Sequence, residues 1–310
     1  MHTKITEVES WSKQPNHHIL RLADKHYPKL LREIADPPPV LYVKGSIEVL
    51  NDCQIAMVGC RHMSHYGKQI AYEFAKSLAD LGIVITSGLA MGIDSQSHLG
   101  ALAQGKTIAV LGCGLEQIYS SSNYKLANQI AENGALVSEF PLTMPANKRT
   151  FPKRNRIISG MSIATLIIEA AIKSGSLITA RLALEQNRTV LAVPGSIFSP
   201  QSKGCHHLIK QGATAVESIF DILLELKYEL KDLTKTAIKD LQAPNMHDIH
   251  VKKLPKHYAE ILQQFGSDRL SFDHLVEHTS LTPEQLSSML LIMELDGFIR
   301  QVPGGYIRTK

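Results

Sequence analysis

The sequence predicts an α/β protein: a parallel sheet with helices on both faces, followed by a small separate unit at the C-terminal end. Three observations carry this reading. Short apolar runs alternate with helical patterns from Gln54 to Val193, the signature of βαβ units whose strands are buried on both faces. Loops rich in glycine or serine mostly follow the carboxyl ends of those runs, the edge where such sheets bind ligands. A polar stretch from Lys231 to Lys253, broken at Ala243-Pro244-Asn245, separates Leu254–Lys310 from the rest, as a linker does. The chain accordingly divides into a lead-in segment (1–50), a sheet domain (51–230), a linker (231–253) and a terminal domain (254–310).

In the lead-in, Tyr27-Pro28 and Asp36-Pro37-Pro38-Pro39 punctuate the chain before a short strand at Val40–Val43. The triple proline fixes φ and blocks a helix. Ile55–Val58 opens the regular pattern and ends at Gly59. A helix through Ile70, Phe74, Leu78 and Leu81 follows and stops at Gly82. Ile83–Ile85 is the next strand, and the turn Ser87–Gly92 leads into a helix near Ile93–Gln104. Thr107–Leu111 precedes a helix near Asn123–Glu132, ended by Gly134, and Val137 leads to Phe140 as another strand. Ala164–Glu169 is a strand, Leu177–Gln186 a helix and Thr189–Val193 the last strand; Ser218–Leu230 is a closing helix.

The terminal domain has helices at Lys256–Phe265 and Phe272–His278. A third has Thr282 as N-cap and Pro283 at its first position, with Leu286, Leu290 and Met293 on one face, and stops at Gly297. Phe298–Val302 and Tyr306–Arg308, joined through Pro303-Gly304-Gly305, form a hairpin. Three helices and a terminal hairpin describe a winged helix-turn-helix. Its charge argues against a reader of duplex DNA. From Leu254 onward five Lys and Arg face seven Asp and Glu, and the third helix opens Pro283-Glu284-Gln285-Leu286-Ser287-Ser288 without a cation. Phosphate neutralisation supplies most non-specific affinity for duplex, so a protein-docking surface or a weak auxiliary DNA contact fits better.

Composition excludes several classes. The 310 residues allow about two cores. A formal charge of +4 permits an anionic partner without demanding one, so the placement of charge decides. Cys53, Cys60, Cys113 and Cys205 lie far apart with no C-x-x-C; this argues against disulfides and a zinc site and for a reducing cytoplasm. There is no signal-peptide core and no apolar run long enough to span a membrane.

The densest chemistry lies in Asn147–Ala180. Lys148, Arg149, Lys153, Arg154 and Arg156 surround Phe151 with no acid among them. An apolar run follows, then the turn Ser174-Gly175-Ser176 at the start of a helix. Between Asp52 and Glu225 fifteen Lys and Arg face twelve Asp and Glu, and five of the fifteen fall in Lys148–Arg156. The excess is therefore local, as an anion site requires. Bases of a single strand stack on aromatic rings, and phosphates take cations and helix N-terminal N–H groups. A solvated charged face is the bland alternative. The aromatic, the missing acids and the buried strand that follows favour a site for a phosphodiester backbone or a nucleotide.

Other motifs are weaker. The first loop, from Gly59 to Gly67, stands where a dinucleotide fingerprint would, but Arg61 replaces its second glycine. The next strand ends in Thr86-Ser87-Gly88, without the acid a ribose needs. No NAD, FAD or other cofactor is expected. Arg61 suits a direct phosphate contact; a surface arginine on a tight turn is the alternative. Asp94 and His98 could form an acid–base pair, but helix capping or a local contact fits better. Cys113 has no evident base. Cys205-His206-His207 cannot all face one ion in regular structure, so packing or an interface is expected there rather than a metal.

Six motifs occur in order: VGCR at Val58 with Gly67 beyond it, SGLAMGID at Ser87, FPKRNRIISGMS at Phe151, EAAIKSGSLITA at Glu169, AVPGS at Ala192 and GCHHLI at Gly204. Together they closely resemble the DNA processing protein A family (DprA, also called Smf) from about Tyr27 to Leu226. MELDGFI and PGGY, from Met293, are similar to the family's winged-helix appendage. The resemblance implies an extended Rossmann-like domain without a dinucleotide and sequence-independent binding of single-stranded DNA. It also implies loading of RecA recombinase in natural transformation, a homodimer, a cytoplasmic location, no membrane partner and no catalysis. Carried over motif by motif, it implies DNA contacts at Arg61, Lys148 and Phe151, the last as a base platform. Arg154, Asn155, Gly175 and Ser176 fall in the same pocket. The family's dimer contact follows AVPGS, which puts His206, His207 and Ile209 at the interface. Many members carry a helical N-terminal domain, for which fifty residues before the sheet leave little room.

Two competing readings keep the same sheet. Related nucleotide-binding sheets include phosphoribohydrolases with a P-G-G-x-G-T turn. The corresponding turn here, Ser174–Thr179, lacks the paired glycines, and Glu169 or Glu185 would have to be the acid. In the other reading the chain is chiefly an adaptor, with the winged unit recruiting a partner.

Overall fold

The computed structural model describes residues 8–117, 121–227, 229–230, 261–265, 269–279, 281–295, 298–302 and 304–309. The chain divides into two compact units, Met1–Asp240 and Leu241–Lys310. In chain order the first contains β1 (His17–Arg21), α1 (Lys29–Arg32), β2 (Val40–Gly45), β3 (Gln54–Val58), α2 (His65–Asp80), β4 (Val84–Ser87), α3 (Ile93–Leu102) and β5 (Thr107–Val110). Then come α4 (Ser121–Asn133), β6 (Ala135–Ser138), α5 (Thr150–Met161), β7 (Ala164–Ile167), α6 (Ser176–Glu185), β8 (Thr189–Ala192), α7 (Lys203–Lys210), β9 (Thr214–Ala215) and α8 (Ile219–Glu225).

The strands form one sheet in the order β1-β2-β6-β5-β4-β3-β7-β8-β9. From β6 to β9 every neighbouring pair is parallel. Side chains alternate across a strand, and here both faces are buried. Ile108, Val110 and Val137 enter one apolar core, while Ala109, Leu111 and Leu136 enter a second on the other face. The protein is α/β, a mostly parallel Rossmann-like sheet covered by helices.

Two parts differ from the sequence reading. The segment assigned as a lead-in supplies two strands to the sheet: β2 pairs antiparallel with β6, Val43 opposite Val137, and β1 pairs with β2. β1 has no apolar alternation to betray it: it opens His17-His18, and Leu20 alone among its residues is fully buried. The second difference is α5. The sequence reading assigns no element to the basic stretch, and it is the N-terminal part of a helix. Asn147 Oδ1 accepts from the N–H groups of Arg149 (2.9 Å) and Thr150 (3.2 Å), and Thr150 Oγ1 accepts from the Asn147 N–H at 3.1 Å. Pro152 sits in the first turn, where a missing N–H costs nothing. Ile157, Ile158 and Met161 then anchor the helix in the core.

The second unit contains α9 (Phe272–His278), α10 (Pro283–Leu295) and the hairpin β10 (Ile299–Val302)–β11 (Gly305–Arg308). Ile261, Phe265, Leu275, Leu286, Leu290 and Met293 form its core. Ser271 caps α9 by accepting from the His274 N–H at 3.2 Å. The whole linker assigned to 231–253 lies outside the described residues, as do the helix start at Lys256, the stop at Gly297 and Pro303. Among the described residues no helix is long and apolar enough to cross a membrane.

Candidate nucleic-acid interface

The strand order turns at β3: β4, β5 and β6 follow on one side of it, β7, β8 and β9 on the other. Loops leaving β3 and β7 diverge at such a switch point and open a crevice at the carboxyl edge. A cavity of about 200 Å³ lies there, walled by Arg61 after β3, Asp94 after β4, Phe151, Arg154 and Asn155 on α5, and Ser174–Ser176 before α6.

Arg61 and Phe151 meet in this wall. The Arg61 guanidinium carbon is 5.5 Å from the Phe151 ring centroid, within cation–π range. Arg61 is exposed and Phe151 half-buried. Gly112, at the end of β5, makes room for the ring, since a Cβ there would stand 2.8 Å from Phe151 Cδ1. The loop carrying Arg61 is fixed through its neighbours. Cys60 donates its N–H to the Glu169 carbonyl at 2.8 Å, and Ile93 donates to the Cys60 carbonyl at 3.2 Å. Gly92, with φ +88°, packs its backbone against the same loop, where a Cβ would come within 2.5 Å of the Arg61 carbonyl oxygen.

The five cations of the basic stretch separate into two groups. Lys148, Arg149 and Lys153 are exposed; Arg154 and Arg156 are buried. The Arg154 guanidinium donates to the Gly88 carbonyl at 2.7 Å, to the Val110 carbonyl and to Asn155 Oδ1 at 3.1 Å. It ties the ends of β4 and β5 together behind the cavity. Arg156 pairs with Glu139 at 2.5 Å and with Asp36 at 3.4 Å, and Lys153 lies 3.7 Å from Glu139. The run has no acid in sequence, yet the fold supplies two. Lys148 stands on the turn before α5 and is not part of the cavity wall.

On the facing wall, the Ser174 and Ser176 hydroxyls are 2.6 Å apart, and the Ser176 N–H donates to Ser174 Oγ at 3.3 Å. The Leu177 N–H donates to the Ser174 carbonyl. Gly175 is exposed, has an ordinary φ of −63°, and a Cβ on it would meet nothing within 4 Å. The fold does not need glycine there; its effect is to leave the backbone bare at the cavity wall.

Asp94 and His98 do not pair. Asp94 Oδ2 accepts from the Gly88 and Ala90 N–H groups at 3.2 and 3.4 Å. Burial pushes its carboxyl above the usual range, opposed by the Arg154 charge. Thr107 donates its hydroxyl proton to the Ile85 carbonyl, so His98 must donate Nδ1–H to Thr107 Oγ1, 2.7 Å away. Burial, helped by Arg154, lowers the His98 pKa to about 3. Burial also raises the Cys113 thiol, and raises Cys205 to about 12, so neither is poised as a thiolate nucleophile or ligand. Within α7, Cys205 is buried, His206 Nε2 accepts from the Gly195 N–H at 3.4 Å, His207 is exposed, and Ile209 packs half-buried on the core. Neither acid of the phosphoribohydrolase reading lines the cavity. Glu185 is exposed and paired with Arg181 at 3.4 Å, and the Glu169 carboxyl is bound to Ser64.

Residues 18–227 match the family described as DNA recombination-mediator protein A. The chain belongs to that family. Residues 252–305 match the DprA winged helix domain. Protein Smf of Escherichia coli (strain K12) is 43% identical over 302 residues, covering 97% of this chain and 79% of its own length. Among solved structures, DNA processing protein A (DprA) from Streptococcus pneumoniae superposes with a TM-score of 0.67 at 39% identity, covering 71% of this chain and 77% of that one. DNA processing protein A from Helicobacter pylori, studied for its single-stranded DNA binding mode, gives a TM-score of 0.63 at 32% identity, covering 70% and 96%.

For this member of the recombination-mediator family, Arg61, Phe151, Arg154, Asn155, Gly175 and Ser176 share one cavity, and Lys148 stands outside it. Gly112 under Phe151, Asp94 in the wall and the Glu169–Ser64 contact were not assigned these places from sequence. Gly112 and Gly67 were visible as glycines beside strands and helices, a signal of close approach, but nothing in the sequence says what approaches them.

Proposed function

We propose that this chain binds single-stranded DNA without sequence preference and loads RecA recombinase onto it, acting on incoming DNA in natural transformation. In this reading it works in the cytoplasm as a homodimer and performs no catalysis. The observation that carries the proposal is the Arg61–Phe151 contact in the cavity wall at the sheet's switch point. It places a cation and an aromatic face together, the pair that a phosphate and its base require.

In this mechanism a base stacks on Phe151 while Arg61 takes the adjoining phosphate and Lys148 attracts the strand from the turn outside. The bare backbone at Gly175 and the Ser176 end of α6 receive another phosphate. Asn155 lies in the wall beside them, and Arg154, bound to two strand-end carbonyls, keeps that wall rigid. None of these contacts reads a base edge, so binding follows the backbone and stacking rather than sequence. Two pockets in a dimer would favour long strands over short ones; His206, His207 and Ile209 on α7 are its proposed interface. RecA loading is supported by the description of the family as recombination mediators.

The test is a titration of a long labelled oligo-dT at low salt with the Arg61→Ala/Lys148→Ala double variant. Loss of binding is expected, and unchanged binding would sink the proposal. RecA ATP hydrolysis on single strands covered by a single-strand-binding protein tests the second half. Acceleration by this chain is expected; no acceleration by a chain that binds the strand would remove the loading role.

A further inference from the structure

We infer that Glu169 is a positioning residue for the strand-binding site, clamping the loop that presents Arg61 to Phe151. It does not line the cavity, so any effect on binding passes through that loop.

Glu169 follows β7 and is 3% exposed. Both its main chain and its side chain are committed to the loop after β3. Its carbonyl accepts from the Cys60 N–H at 2.8 Å. Its carboxyl accepts from Ser64 Oγ at 2.5 Å and from the Ser64 N–H at 2.9 Å, and Cys60 Sγ lies 3.5 Å from Oε2. These contacts fall on both sides of Arg61 in the chain. A buried carboxyl is costly unless its oxygens are bonded, and this loop supplies the bonds. Carboxyl and loop therefore hold each other in place.

Two further features fit the clamp. Gly67, in the first turn of α2, leaves the space the carboxyl occupies; a Cβ there would overlap it. Ser64 Oγ also accepts from the Gly67 N–H at 3.0 Å, so one hydroxyl caps α2 and binds Glu169. From the opposite side Ile93 and Gly92 close on Cys60 and Arg61. The Arg61 backbone is held between these contacts while its side chain reaches the ring. A loop ordered before binding spares the strand the cost of ordering it.

The inference rests on the reading that the site binds single strands through Arg61, and the experiment separates the two. Anisotropy of a labelled oligo-dT is followed across a salt series for the full chain. The variants are Arg61→Ala, Glu169→Ala, Glu169→Gln, Ser64→Ala and the Arg61→Ala/Glu169→Ala pair. Glu169→Ala is expected to weaken binding about as much as Arg61→Ala and to lower the salt slope by about one, the mark of one lost phosphate contact. The double variant should be no weaker than Arg61→Ala alone, because both remove the same contact. Glu169→Gln, which keeps an acceptor for the Ser64 N–H, should recover most of the affinity. A merely structural role would lower the melting temperature and leave the salt slope unchanged. If Arg61→Ala has no effect, the underlying reading fails. If Arg61→Ala lowers the slope while folded Glu169→Ala keeps it, or if the two losses multiply, the clamp is overturned. Should Glu169→Ala not fold, Ser64→Ala decides by the same slope, lowered or unchanged.

Discussion

The Arg61 guanidinium lies 5.5 Å from the centre of the Phe151 ring, although one residue follows β3 and the other stands in the first turn of α5. The contact spans the switch point of the sheet and joins the two residues best suited to a phosphate and a base. Removing either should therefore have a different signature. Phe151→Ala should weaken single-strand binding by about 1–3 kcal/mol, with little change in salt dependence. Arg61→Ala should lower the salt slope by about one. Anisotropy titrations over a range of salt check both, and equal slopes for the two variants would contradict the division of roles.

Lys148 and Arg154 belong to the same basic run but should respond oppositely to truncation. Lys148 is exposed, so Lys148→Ala should weaken strand binding and leave the urea midpoint in place. Arg154 is buried against the Gly88 and Val110 carbonyls. Arg154→Ala leaves buried acceptors without a donor, at about 1–3 kcal/mol for each group left unsatisfied. Denaturation in urea distinguishes them, and an unchanged midpoint for Arg154→Ala would show that its bonds are dispensable.

Arg156 and Glu139 form a buried pair at 2.5 Å, with side chains 10% and 6% exposed. Stranding one charge of a buried pair costs about 3–5 kcal/mol; without Glu139, Arg156 keeps only the exposed Asp36, 3.4 Å away. Glu139→Ala should approach that scale. Lys153→Ala, which removes an exposed partner of the same carboxylate, should cost no more than about 1 kcal/mol. Similar urea midpoints for the two variants would refute the ranking.

His98 should make stability depend on pH. Its folded-state pKa is about 3, below the ordinary 6.5. The unfolded chain takes up a proton that the folded one refuses. The contribution is therefore complete above pH 6.5 and declines as pH falls toward 3. Wild-type protein should lose more stability than His98→Asn between about pH 7 and about pH 5. Urea curves for both at each pH give the comparison, and parallel losses would show that His98 is not the titrating group.

Much of the fold was legible because its strands are short apolar runs bounded by glycine. Gln54–Val58, Thr107–Val110 and Thr189–Ala192 are such runs, and each is a strand of the parallel sheet. β1 was not legible, since an edge strand with one fully buried residue has no alternation to detect. α5 was hidden for the opposite reason. Its inward face includes Arg154 and Arg156, whose charges are met by groups far away in the chain, so the run lacks the apolar periodicity that marks a buried helix face. In the cavity, motif order brought Arg61, Phe151 and Gly175 under suspicion, but the sequence overcounted available cations because it could not see Glu139 and Asp36 arrive. The tie between Glu169 and Ser64 is a tertiary contact with no local pattern, and only the paired strands β3 and β7 bring those residues together.

The cavity has no wall that belongs to a single segment. Its lining comes from the loops after β3, β4 and β7 and from the start of α5, so it exists only while the central strands are paired. A ligand that fills it can bind the native state alone. Strand binding should then shift the folding equilibrium by mass action, by about 2.7 kcal/mol when free ligand is a hundred times its dissociation constant. A thermal melt with and without oligonucleotide would thus measure affinity without a label, and variants that empty the site would melt at one temperature whether or not DNA is present.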